Sequence, residues 1–280
     1  MAGFRLAQRI PRLSAASLLL IGAAPLLVFL LAPTLIVTPM ALTKSNIIEF
    51  PPVWISVHAF FDYLGDPEWI ADTVVSLKIA ALATVVACLV GVSTSLALHV
   101  LRGPVRSVVS SLVMLPMMAP VIVLALGDYL TLNRVGLVGS WPMIGLAHSL
   151  LGAPFVVLSV STSLTGLNAA LVRSARSLGA GDWPVLRHVY WPAIRPGLLA
   201  GAVFAFYGSF DEVILSLFLQ GPGVTTLPVQ MFTSIQYELT PKIAAVSALL
   251  VFLAALALLG QGLLTVGRGA GRPASEAVEP

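Results

Sequence analysis

Residues 243–266 read IAAVSALLVFLAALALLGQGLLTV, a stretch without a charged side chain and apolar around the whole circumference of a helix. About 20 such residues, rising 1.5 Å each, cross the hydrocarbon core of a bilayer. A strand of a membrane barrel would alternate polar and apolar over about ten residues, and no such alternation is present. The stretch is therefore predicted to be a spanning helix. Five more runs of the same kind precede it, at about 17–40, 73–101, 107–127, 142–163 and 197–219. Together they predict an all-α membrane protein with six transmembrane helices. Composition agrees, because 58% of the 280 residues are hydrophobic and 10% charged, whereas a soluble domain carries roughly 25% charged residues to cover its surface.

Basic residues near helix ends resist translocation and so set orientation. With the N-terminus inside, the inner segments hold Arg5, Arg9, Arg12, Arg102, Arg106, Arg173, Arg176, Arg187, Arg195, Arg268 and Arg272. The outer side keeps only Lys44, Lys78, Arg134 and Lys242. Both termini are thus expected in the cytoplasm. The first apolar run is longer than the usual signal core of about 7–15 residues and has no clear small-x-small cleavage site, so it reads as a retained helix. The resulting organisation is a cytoplasmic segment 1–16, a six-helix domain 17–266 and a cytoplasmic tail 267–280.

The outer segments carry Glu49, Asp62, Asp66, Glu68, Asp72, Asp128 and Glu238, which read as a solvated acidic surface with a weak preference for cations. Residues 41–72 also contain Trp54, Phe60, Phe61, Tyr63 and Trp69. Such rings settle at headgroup level, so this loop is expected along the outer interface, with docking of an external partner as the alternative.

Several chemistries are excluded. Cys88 is the sole cysteine, so neither an intrachain disulfide nor a cysteine metal site can form. His58, His99, His148 and His188 show no ligand spacing, and no metal is expected. None of the three lysines, Lys44, Lys78 and Lys242, follows a glycine, so there is no phosphate-binding loop of the G-x-x-x-x-G-K-[ST] kind. There is no nucleophile elbow and no paired-carboxylate arrangement in a soluble cleft either, and the chain is expected not to be an enzyme.

Between the fourth and fifth runs lies LVRSARSLGAGDWPVLRHVYWPAIRP, residues 171–196. Ala175, Leu178, Ala180, Trp183, Leu186 and Val189 form a small and apolar face among the arginines. The punctuation predicts two short helices at an angle: Gly179 and Gly181 end the first, Asp182 N-caps the second, Pro184 occupies its first turn, and Pro192 stops it. A bent pair with an exposed apolar face calls for a groove to sit in.

This loop resembles the EAA signature of the integral-membrane permeases of binding-protein-dependent ABC importers, which reads Glu-Ala-Ala, three residues, Gly, nine residues, Ile-x-Leu-Pro. Here the places are taken by Arg173-Ser174-Ala175, Gly179 and Val189-Tyr190-Trp191-Pro192. The spacing is the same throughout, while Arg173 stands in place of Glu and Trp191 in place of Leu. Downstream, Gly208-Ser209-Phe210-Asp211-Glu212 and the run GPGVTTLP at 221–228 are similar to the permeases of spermidine/putrescine-type importers. The resemblance implies the type I importer fold in a bacterial inner membrane and a loop that couples to an ATPase. It also implies a second permease, two ATPase subunits carrying ATP and magnesium, an extracytoplasmic substrate-binding protein, and no cofactor of this chain's own. Lipid is the solvent, and nucleic acid is not a partner. The substrate implied is a polyamine, with opine-like amino acids, phosphonates, iron or anions as alternatives.

Asp211 and Glu212 are the ionisable residues expected inside the membrane, where such groups are costly and face a partner or a water-filled path. Neighbours on a helix point about 100° apart, so one of the two is expected to line a path. A secondary carrier built around these two acids is the competing class. Gly197 and Gly201 form a G-x-x-x-G that reads first as a packing face and second as a seam with another permease. Pro116 and Pro120 read first as kinks and second as hinge points, and Gly221-Pro222-Gly223 as a tight turn or an outer gate element.

Overall fold

The computed structural model describes residues 15–269, with side chains described over 22–256. Most of the expected segment 1–16 and tail 267–280 lies outside the described residues. Helices are the only regular elements of the described chain, and its β pairings are isolated bridges. It divides into two compact units, one formed by Asp66–Tyr237 and the other by the chain before and after it.

The flanking unit contains α1 (Ala15–Met40), α2 (His58–Leu64) and α12 (Pro241–Gly269). Ala41, Ala59, Ala244, Ala245 and Ala248 form its core, and their size lets the helix backbones approach closely. Between α1 and α2 the chain doubles back through a bridge from Thr43 to Ile55, with Lys44 N donating to Trp54 O at 3.1 Å. Phe50, Val53, Trp54 and Ile55 are all exposed there.

The larger unit is built on α3 (Pro67–Val100), α6 (Trp141–Thr165) and α9 (Trp191–Phe210). Asp66 caps α3 by accepting from Glu68 N and Trp69 N, with Pro67 in the first turn, so the helix starts six residues before the apolar run that announced it. Ile79, Ala83, Ala87, Gly91, Ser95 and Leu98 recur at helical spacing on its buried face. Val74, Leu77, Val85 and Leu89, on its other faces, are exposed and equally apolar, as a lipid-facing surface requires. Gly201 of α9 meets α6 so closely that an added Cβ would lie 2.7 Å from Val156 Cα, and Gly197 packs as tightly against Ser159. The G-x-x-x-G is thus a packing face within this chain. Ser95 Oγ adds a bond across to Val157 O at 3.2 Å.

Two predicted spans are not single helices. The run 107–127 is divided into α4 (Gly103–Met118) and α5 (Val121–Arg134), bent by 100°. Pro120 is the cause: it forces Ala119 into the extended region (ψ 140°), and the helix restarts after it. The run 197–219 breaks after α9 and resumes as α10 (Ile214–Leu219). After a tight turn bridging Gly221 and Val224, α11 (Leu227–Tyr237) follows on the segment read as an outer loop. Four described helices are long and apolar enough to cross a membrane, five if the bent pair counts as one, and the described part of α12, to Leu256, is a shorter apolar helix.

Asp72, read from sequence as part of the solvated acidic surface, is instead buried on the packing face of α3. It lies one turn before Ser76 on that face, where α3 packs against α11 and Ser76 Oγ accepts from Leu227 N, 151 residues along the chain from Ser76.

Candidate functional site

The 171–196 segment begins within α7 (Ala169–Ser177), which Asn168 caps by accepting from Ala170 N at 2.8 Å. Gly179 adopts φ +86°, while Gly179 N donates to Arg176 O and Ala180 N to Ala175 O, both at 3.0 Å. That pair of bonds is a Schellman closure, for which a residue without Cβ is favoured. The bend at Gly179 therefore forms as predicted, and the following α8 (Asp182–Val185) leaves in a new direction.

Two details differ from expectation. Gly181, not Asp182, holds the N-cap position, and Asp182 turns its carboxylate to Arg176, Oδ1 to Nη2 at 2.9 Å. Pro192 does not stop the helix. Leu186–Tyr190 widens into a π-turn and runs straight into α9, so 182–210 is one continuous helix. A π-turn frees the carbonyl that proline's ring would otherwise strike and cannot bond, which is how Pro192 is accommodated in its first turn.

The apolar face divides after folding. Val185 is buried, and Ala175, Ala180, Leu186 and Val189 are half-buried. Leu178 and Trp183, at 89% and 67% exposure, project from the bend, flanked by exposed Arg173, Ser174, Arg176 and Arg187. Tyr190 meets the His99 ring of α3 edge-on at 5.8 Å, and Arg195 lies 5.6 Å over Trp191. The bend is thereby attached to α3 as well as to α9.

At the far end of α9, Asp211 and Glu212 fall in the break itself rather than on a helix. Glu212 Oε1 accepts from Ile214 N at 2.8 Å and Leu215 N at 3.0 Å, capping α10. Asp211 is exposed at the C-cap of α9, where its charge adds to the negative end of the helix dipole. The two acids thus do different work: Glu212 satisfies backbone donors, and Asp211 is left facing outward.

What secures this break is a residue from a different helix. His148 of α6, 2% exposed, has Nδ1 2.9 Å from Ser209 Oγ and 3.1 Å from Ser209 O, and Nε2 3.2 Å from Ser216 Oγ. The neutral Nδ1–H tautomer satisfies all three contacts, donating to Ser209 and accepting from the Ser216 hydroxyl. One imidazole therefore joins α6 to both pieces of the broken helix. Only a histidine inside an apolar run hinted at it.

Long apolar helices, two joints within them and a projecting, capped bend define a multi-pass membrane transport subunit. The chain belongs to the family of binding-protein-dependent transport system inner membrane components, whose model matches residues 83–266. It is a permease subunit of a binding-protein-dependent ABC importer and a multi-pass protein of the bacterial inner membrane. It is 29% identical over 190 residues to the spermidine/putrescine transport system permease protein PotC of Escherichia coli (strain K12), covering 68% of this chain and 72% of that protein. It is 30% identical over 189 residues to the molybdenum transport system permease protein ModB of the same strain, covering 62% and 82%. Among solved structures, a bacterial alginate ABC transporter in complex with an alginate pentasaccharide-bound periplasmic protein matches with TM-score 0.67 at 18% identity, over 87% of this chain and 90% of that one. That likeness shows the type I importer permease fold.

Proposed function

We propose that this chain forms half of the translocation path of an ATP-driven polyamine importer. Its partners are a second permease, two ATPase subunits that bind ATP and magnesium, and an extracytoplasmic binding protein. The observation that carries the ATPase contact is the bend at Gly179, which holds Leu178 and Trp183 in water on a backbone closed by its own hydrogen bonds. Large apolar side chains on a rigid exposed turn are what a protein groove buries. Arg173, Arg176 and Arg187 around them suit an acidic rim, and Ala175, Ala180, Leu186, Val189 and Pro192 support the turn from behind.

Coupling follows from continuity. A displacement at Trp183 is carried along the 29-residue helix Asp182–Phe210, a lever of roughly 40 Å, to the break that holds Asp211. The π-turn at 186–190 is its most compliant point. Movement of α9 against α6 then alternates the exposure of the path. Both termini and the Gly179 bend are cytoplasmic in this arrangement, and six spans complete it.

The substrate class rests on charge and on the relatives. An exposed carboxylate at the negative end of α9 attracts a cation, as the spermidine/putrescine relative would require. The molybdenum relative makes an oxyanion the other candidate, and Asp211 would repel it. Asp211→Asn is expected to slow polyamine uptake with the complex intact.

The test is co-purification of the tagged chain from its native host in mild detergent, with ATPase activity assayed. Leu178→Asp and Trp183→Asp change exposed residues and leave the fold untouched. Losing an apolar contact of about 2 kcal/mol weakens ATPase binding roughly 30-fold, so each variant is expected to purify without the ATPase. An ATPase retained by both would remove this bend from the interface, and nucleotide-independent transport by the chain alone would replace the importer with a carrier.

A further inference from the structure

Asp72 and Thr226, 7% and 4% exposed, each bury an oxygen without a hydrogen-bond partner, Oδ2 and Oγ1 respectively. They flank a single stitch between α3 and the entry to α11. Leu227 N donates to Ser76 Oγ at 2.7 Å, and that hydroxyl donates to Asp72 O, one turn back, at 2.9 Å. Thr226 is the residue before Leu227, so both orphaned oxygens belong to the neighbourhood of this bond. The turn bridging Gly221 and Val224 comes just before Thr226 in the chain, and its tip, Pro222 and Gly223, is exposed.

A buried carboxylate is costly unless a positive charge or several donors meet it. Asp66 and Glu68, at the start of the same helix, carry the same sign and make the position more negative still. What would satisfy it can be narrowed by chemistry. A divalent metal takes about six oxygen ligands, and the pair supplies too few; the described residues contain no cluster of three or more metal-ligating side chains. A primary ammonium brings positive charge, three N–H donors and no acceptor, which matches oxygens that can all accept.

We propose that Asp72 and Thr226 together hold one primary ammonium group of a polyamine, beside the Ser76–Leu227 bond. This rests on the polyamine reading above and adds a station separate from Asp211.

The experiment uses the complete importer in proteoliposomes with its binding protein, measuring spermidine uptake against concentration. Asp72→Asn and Thr226→Val are each expected to lower uptake at least tenfold at sub-saturating spermidine, with partners still co-purifying. Thr226→Ser, which keeps the hydroxyl, should stay within twofold of the original. Should Asp72→Asn fail to assemble, the Val and Ser pair at 226 decides alone. Spermidine import at the original rate by Thr226→Val overturns the site and leaves a water-bridged structural pair. A wild-type importer that moves no polyamine overturns the substrate class itself, and this station with it, whereas intact import unaffected by either substitution overturns the station alone.

Discussion

Gly201 has no space for one more carbon. A Cβ there would meet Val156 Cα at 2.7 Å, backbone-deep and unable to move aside, whereas the same atom at Gly208, on the same helix, would meet nothing within 4 Å. Gly201→Ala is therefore expected to destabilise the protein by about 1–3 kcal/mol through overpacking, and Gly208→Ala to leave it unchanged or slightly firmer, since alanine is the better helix former. Melting midpoints in detergent would separate them, and equal midpoints would show that α6 and α9 can part at no cost. The glycine spacing made a packing face legible from sequence, because in a membrane small residues serve that use. Its partner was not legible, since a pattern on one helix carries no information about which other helix meets it. Asp72 was misplaced for the same reason: it lies on the face of α3 that packs against α11, where Ser76 is bonded by Leu227, 151 residues away.

At the scale of elements, the two joints differ in how they are encoded. The joint between α4 and α5 is local, written in Pro120 and its effect on Ala119, and could be anticipated as a kink though not as a 100° bend. The joint after α9 has no proline. It is held by His148 from a different helix, which is why an apolar run at 197–219 looked continuous. The bend at Gly179 lay between these cases, with its turn chemistry visible and the passage through Pro192 hidden, because a π-turn is a helix-wide adjustment rather than a residue preference. His148→Leu tests the remote joint. It keeps apolar volume but leaves the fully buried Ser216 hydroxyl and Ser209 without their partner, a cost of about 1–3 kcal/mol for each unpaired group. A lowered melting midpoint together with faster proteolysis near 211–213 is expected. Loss of stability without local cleavage would mean that the imidazole supports α6 generally and not the joint.

For the molecule as a whole, the decisive question is how many times the chain crosses the bilayer, and the bent pair α4–α5 is where the count turns. Between Asn46 and Ser177 the helices long and apolar enough to cross are α3, the bent pair and α6. If the pair crosses once, there are three crossings and the two residues face opposite sides; if it enters and returns, there are two and they face the same side. The basic residues favour the first, because Arg102 and Arg106 precede the pair's apolar run while Arg134 alone follows it. Cys88 is the sole cysteine, so Cys88→Ala provides a background in which Asn46→Cys and Ser177→Cys, both at exposed positions, report one at a time. With a membrane-impermeant maleimide on intact spheroplasts, Asn46→Cys is expected to label and Ser177→Cys to label only after permeabilisation. Labelling of both from outside would make the pair re-entrant and put the Gly179 bend out of reach of any cytoplasmic ATPase. The opposite sidedness, with only Ser177→Cys reached from outside, would keep three crossings and invert the orientation, so the arginine count would no longer be the factor that sets it.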